Sequence, residues 1–215
     1  MYYMCVIDRS CKIEQQKENR YEKMQKWLLE IIKDKKILLD EIGTNGYLKE
    51  LQLIGSVMIQ TLVNERKILL AGNGGSAADA QHFAGEMVGR FLHENRKALP
   101  AISLCVDSSV TTCIANDFGF ENIFARQIEG LGQQGDVFVA ISTSGNSENL
   151  IRALSVAKGK NMVTIGLLGK NGGRMMECCD YSLVVPSNET PRIQEIHTFS
   201  VHLLCEYIER TMFEC

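Results

Sequence analysis

Residues 68–86, ILLAGNGGSAADAQHFAGE, can fold in few ways. The apolar run Ile68-Leu69-Leu70-Ala71 reads as a buried strand, broken at Gly72-Asn73-Gly74-Gly75, and Ser76 opens a pattern with helical spacing. A strand, a glycine turn and a helix N-terminus form a potential anion site. Glycine lets backbone N–H groups approach a ligand, while the unpaired amides and the helix dipole favour negative charge. One helical turn further on, His82 and Glu86 stand four residues apart and share a face. They fit a proton-transfer or metal pair beside a phosphate cradle. The commoner fate of such a pair is a core histidine with a solvated glutamate, and spacing alone leaves both readings open.

Further apolar runs at 100–105, 136–141, 162–168 and 181–185 alternate with helical patterns at 110–115, 122–131, 147–159 and from Pro191 to the end. A short helix is expected over 173–178, and Asn116-Asp117-Phe118-Gly119 has the composition of a turn. Short buried strands alternating with helices predict an α/β fold, a doubly wound parallel five-stranded sheet of the flavodoxin-like kind. Ligands then belong beyond the carboxyl ends of the strands. Ahead of the sheet, residues 12–42 read as an amphipathic helix, with a bend or interruption around Lys33-Asp34-Lys35-Lys36. A turn at 43–46 and a second helix over 47–64 follow, dividing the chain into a helical extension, 1–46, and a main domain, 47–215.

With a formal charge of −3 the chain is not a general electrostatic binder of nucleic acid. Nothing in it approaches a run of about 18 apolar residues, so no membrane span is expected. The N-terminus lacks the pattern of a signal peptide, and the expected compartment is the cytoplasm. Cys5, Cys11, Cys105, Cys113, Cys178, Cys179, Cys205 and Cys215 include no CxxC pair. They are expected to be reduced and structural.

A second strand-to-helix junction, Ser142-Thr143-Ser144-Gly145-Asn146-Ser147, offers hydroxyls and backbone amides without the lysine of a nucleotide-binding loop. Neutral donors at a helix N-terminus suit a terminal phosphate monoester. The plain alternative is a serine-rich loop capping the next helix. On the last helix, Gln194 and His202 lie eight positions apart within one broad face. His197 and His202 lie about 140° apart around its axis, so at most one sits squarely over a ligand. Asn116 and Asp117 either make a turn or bind sugar hydroxyls.

The segments AGNGGSAADAQHFAGE, NDFGF, ISTSGNSENLI and TPRIQEIH, in this order, resemble the sugar isomerase (SIS) domain family. More narrowly they resemble phosphoheptose isomerases, over residues 48–209. The resemblance implies isomerisation of sedoheptulose 7-phosphate to D-glycero-D-manno-heptose 7-phosphate for bacterial heptose biosynthesis, by a homotetramer with shared active sites. It implies phosphosugar contacts at Asn73, Gly74, Gly75, Ser76, Asn116, Asp117, Ser142, Thr143, Ser144, Ser147 and Gln194. It implies an acid–base pair at Glu86 and His202, and a zinc site, where one is occupied, at His82, Glu86, Gln194 and His202. The chain departs from some members at Gly85 and Pro191, where those carry acidic residues. A rival reading is a catalytically silent phosphosugar-binding or assembly module on the same fold, which would lack the acid–base residues.

Overall fold

Five short apolar segments pair in parallel: β1 (Ile68–Gly72), β2 (Ala101–Ser103), β3 (Val137–Ser142), β4 (Val163–Gly169) and β5 (Tyr181–Val185), in the order β2-β1-β3-β4-β5. The computed structural model describes the backbone of residues 2–214 and the side chains of residues 20–214. Ile68 stands opposite both Ala101 and Val137, which sets the register of the sheet centre. Every residue of β1 and β3 is buried, because helices cover both faces and leave no polar side to the strand. β2 lies at the edge and is shorter than expected. Its chain turns away where the Cys105 amide donates to Ser103 Oγ at 3.3 Å.

Successive strand residues point to opposite faces, and the helices divide accordingly. Leu69, Ala71, Phe138 and Ala140 join a cluster with Ile114 of α4 (Ser108–Phe118), Ile128 of α5 (Ala125–Leu131), and Leu150 and Leu154 of α6 (Glu148–Gly159). A second group of helices comprises α2 (Tyr47–Val63), α3 (Gly75–Val88) and α7 (Thr190–Phe213). In this group α7 packs on both α2 and α3. Tyr47 of α2 bonds Ser200 of α7 through a buried 2.8 Å hydroxyl pair, and burial pushes the Tyr47 phenol up to about 12.

Three local expectations need correction. Asn116 and Asp117 lie in the last turn of α4, not in a loop. That helix starts early because Asp107 caps it, accepting from the Val110 amide at 2.9 Å, and it ends at Gly119, whose φ is 88°. The first helix, α1 (Tyr2–Thr44), begins before residue 12. It also runs unbroken through Lys33–Lys36, since that stretch holds neither glycine nor proline and its lysines cost a helix little. Residues 120–122 and 173–178 form short 3₁₀ turns.

The chain divides into two compact units, Met1–Glu41 and Ile42–Cys215. Among the described residues, no helix is long and apolar enough to cross a membrane. Cys105, Cys113, Cys178, Cys179 and Cys205 are free thiols. Burial pushes Cys179 up to about 12 and Cys205 up as well, so both stay protonated and pack as small hydrophobes. The side chains of Cys5, Cys11 and Cys215 lie outside the described residues.

Candidate active site

The strand order reverses its direction of winding between β1 and β3, and at such a point the following helices leave for opposite faces and open a crevice. The glycine turn follows β1 and the serine turn follows β3, so both candidate phosphate loops border this crevice.

Glycine is required in the first turn for close approach. A Cβ on Gly72 would lie 2.4 Å from the Ser76 carbonyl oxygen, and one on Gly75 would lie 2.3 Å from Gln194 Nε2. The bare Gly75 backbone therefore receives the Gln194 amide at the start of α3. Ser76 is buried. In the second turn, Ser142 Oγ accepts from the Gly145 amide at 3.1 Å and meets Ser147 Oγ at 3.2 Å. Ser144 Oγ accepts from the Asn146 amide at 3.3 Å, and Thr143 is half-buried. Ser147 occupies the cap position of α6 but forms no side-chain cap bond. The loop is thus braced by its own hydroxyls. Behind it, Gly145, at φ 64°, touches the 172–175 segment so closely that a Cβ would lie 1.9 Å from the Gly172 oxygen.

The two turns are joined by a residue that the sequence reading missed. Asn73 Nδ2 donates to Asn149 Oδ1 at 3.0 Å, and Asn149 Nδ2 donates back to Asn73 Oδ1 at 2.8 Å. Asn149 is buried in the first turn of α6. Asparagine is a poor helix former, which is the one local hint that this position has another task.

Beyond the first turn, α3 and α7 bring three proton-accepting atoms together. His82 Nε2 lies 2.9 Å from Glu86 Oε1 and 3.3 Å from His202 Nε2, and the two imidazoles meet edge to face. One His82 Nε2 proton cannot satisfy two neighbours fully, so a lone pair remains that a further proton or a cation would satisfy. The ligand atoms of His82, Glu86 and His202 all lie within 4.8 Å of one another, a donor set of two nitrogens and one carboxylate oxygen that suits zinc or a similar divalent ion. Gln194, two turns earlier on α7, has its amide against Gly75.

His197 takes a different place. It is fully buried, and its Nε2–H donates to the Leu168 carbonyl at 2.9 Å, leaving Nδ1 as the bare nitrogen. Burial lowers its pKa, against the opposing effects of that bond and of Asp79. Asn116 and Asp117 are exposed at the end of α4, where Asn116 Nδ2 donates to Asp117 Oδ1 at 2.7 Å. A side chain at Gly85 would meet nothing within 4 Å, and Pro191 sits in the first turn of α7, where a missing amide costs nothing.

The SIS domain family profile matches residues 44–169. A phosphoheptose isomerase from a Nitratiruptor species is 52% identical over 190 residues, covering 88% of this chain and 98% of that protein. The chain belongs to the phosphoheptose isomerase family. Another phosphoheptose isomerase, from Helicobacter pylori, is 54% identical over 72% of this chain and 80% of its own length. Solved phosphoheptose isomerases share the fold. GmhA from Neisseria gonorrhoeae superposes with a TM-score of 0.80 at 40% identity, covering 86% of this chain and 98% of that one. The Francisella tularensis enzyme gives 0.82 at 33% identity, covering 85% and 96%.

Proposed function

We propose that this chain interconverts sedoheptulose 7-phosphate and D-glycero-D-manno-heptose 7-phosphate. The observation that carries this reading is the meeting of Glu86 with His202 and His82, beyond a glycine turn suited to phosphate, in a chain about half identical to phosphoheptose isomerases. His82 lies seven residues along α3 from Gly75, a rise of roughly 10 Å. An extended seven-carbon sugar phosphate bridges such a span, with its phosphate at the turns and C1 and C2 at the cluster.

In the proposed reaction Glu86 removes a proton from C1 of the ketose, giving an enediol(ate), and returns a proton to C2. His202 takes the proton from O1 and supplies one to O2, so the net change is one hydrogen moved from C1 to C2 and one from O1 to O2. The amides of the glycine turn and the hydroxyls of Ser142, Thr143, Ser144 and Ser147 hold the phosphate, and Gln194, Asn116 and Asp117 hold the sugar. His82, Glu86 and His202 would hold a divalent ion, whereas the Gln194 amide lies against Gly75 instead. When bound, such an ion supplies Lewis-acid stabilisation to the enediolate oxygens. A glutamate that holds a metal tightly is a weaker base, so the acid–base roles are preferred for Glu86 and His202.

Self-association into a homotetramer with shared sites is part of the proposal. Tyr21, Met24, Leu28 and Ile32 of the helical extension form a stripe at helical spacing and are 47–67% exposed in the single chain. Asn116 and Asp117, both exposed, fit a site completed by another copy. The proposed compartment is the cytoplasm, where phosphorylated sugars are processed. The decisive experiment is a coupled assay of the purified protein on sedoheptulose 7-phosphate. Phosphosugar binding without turnover would favour the silent binding module. A monomer by light scattering at micromolar concentration would contradict the assembly.

A further inference from the structure

Between α3 and β2 the chain runs through residues 89–100 without regular structure, yet it holds the most thoroughly bonded ion pair among the described residues. Glu209 of α7 accepts from three successive backbone amides, Phe91 at 2.9 Å, Leu92 at 2.7 Å and His93 at 3.0 Å, and from Arg96 Nε. Arg96 also donates to the Met87 carbonyl at 2.8 Å, the Lys97 carbonyl at 3.0 Å and the Glu86 carbonyl. The Arg96 and Glu209 side chains are only 1% and 2% exposed.

In a buried ion pair desolvation offsets much of the attraction, and here the three amide bonds to Glu209 tip the balance toward the charged form. Its use here lies in what it fixes. Glu209 stands two turns after His202 on the same helix. It grips the segment at Phe91, whose ring stacks on the His202 imidazole at a centroid distance of 5.5 Å and an interplanar angle of 29°. The Arg96 guanidinium meanwhile holds the backbone carbonyl of Glu86. One buried pair therefore reaches the backbone of one proposed acid–base residue and the ring face of the other.

We propose that Glu209 and Arg96 form a clamp that seats Phe91 on His202, making all three positioning residues for the Glu86–His202 pair. The inference rests on the acid–base reading given above. Stacking limits rotation of the imidazole about its side-chain bonds, so Nε2 stays directed at His82 and the sugar oxygens. None of the three touches the phosphate turns, so their loss falls on turnover and spares binding.

The test compares Phe91→Leu with Phe91→Tyr in steady-state kinetics on sedoheptulose 7-phosphate. Leucine keeps apolar bulk without a flat face and should lower kcat by about ten- to a hundredfold, with KM changed by less than about twofold. Tyrosine keeps the face and should restore kcat to near the wild-type value. Glu209→Gln should lower kcat at least as much as Phe91→Leu. If that variant fails to fold, the half-buried Phe91 pair still decides. Wild-type kcat in Phe91→Leu overturns the clamp, as does an equal loss in the leucine and tyrosine variants. His202→Asn, run in parallel, separates the two levels. If it is inactive while Phe91→Leu is normal, only the clamp fails. If His202→Asn is active, the acid–base reading fails and takes the clamp with it.

Discussion

His82 and His202, 120 positions apart in the chain, bring their Nε2 atoms within 3.3 Å of each other. The contact exists because α3 and α7 run side by side in the same direction. Gly75 meets Gln194 at their starts, Thr198 Oγ1 donates to Asp79 at 2.8 Å one turn on, and the histidines meet one turn further. Position along α7 thus decides what a side chain can do, and two histidines five residues apart part company.

His202→Asn and Glu86→Gln should each remove most turnover, on the order of 10²- to 10⁴-fold, while the phosphosugar still binds. His197→Asn should keep most activity and instead lose stability, about 1–3 kcal/mol for its broken bond to Leu168. Turnover and urea unfolding of the three variants check this. An inactive, stable His197→Asn would reverse the assignment.

Glu209 should shape the acid limb of the stability curve. Burial opposes its charge, but Arg96 and the three amides outweigh burial and bring the carboxyl down from 4.5 to about 2. As the pH falls, the unfolded chain takes up the proton first. Stabilisation by this carboxylate is therefore complete above about 4.5 and lost as pH falls toward 2. Glu209→Gln should flatten unfolding free energy against pH across that window. An unchanged acid limb, followed by circular dichroism, would refute it.

His197 acts in a higher window. Its folded-state pKa lies below 6.5, so the unfolded chain gains a proton below 6.5 that the buried ring resists. The melting temperature should fall from neutrality to pH about 5.5, and less steeply in His197→Asn. Parallel curves for the two proteins would contradict this.

Three glycines should rank in one order. Gly145→Ala meets the Gly172 oxygen at 1.9 Å with φ at 64°, and should cost about 2 kcal/mol or more. Gly75→Ala meets only the end of the Gln194 side chain, so it should fold but displace that amide and raise KM. Gly85→Ala meets nothing within 4 Å inside α3, and should gain about 0.5–1 kcal/mol. Urea midpoints give the order directly, and a stable Gly145→Ala would break it.

Asn149→Ala should raise KM for the phosphosugar roughly fivefold with little loss of kcat, since it frees Asn73 at the cost of about 1 kcal/mol. Asn149→Asp should be worse. It still accepts from Asn73 Nδ2 but cannot donate back, and it adds negative charge beside the phosphate turns. If aspartate binds substrate as well as asparagine, the pair does not orient the site.

The strand centres were legible because a sheet covered on both faces demands unbroken apolar runs, as in Val137–Ser142. Strand ends were less so, since Ser103 stops β2 through a hydroxyl bond that composition does not announce. Asn116 and Asp117 misled because turn-forming residues also end helices, and Asp107 had already fixed where α4 begins. In the candidate site the local features could be read, namely two turns after strands and a His–Glu pair at helical spacing. Asn149 and the Arg96–Glu209 pair could not. Their partners lie 76 and 113 positions away, and no periodicity records a contact of that length.

The reciprocal amide pair of Asn73 and Asn149 also bears on how the molecule is made. Its partners belong to different strand–helix units, separated by the whole of β2, α4 and α5. Parallel pairing over such distances pays its loop-closure entropy before any contact rewards it, so it comes late in folding. A chain emerging from the ribosome can complete β1 and its glycine turn long before the serine turn exists. Ligand-binding competence should therefore arise in a single late step, when β3 docks beside β1. A phosphosugar present at that moment would bind only finished molecules, drawing the folding equilibrium toward them.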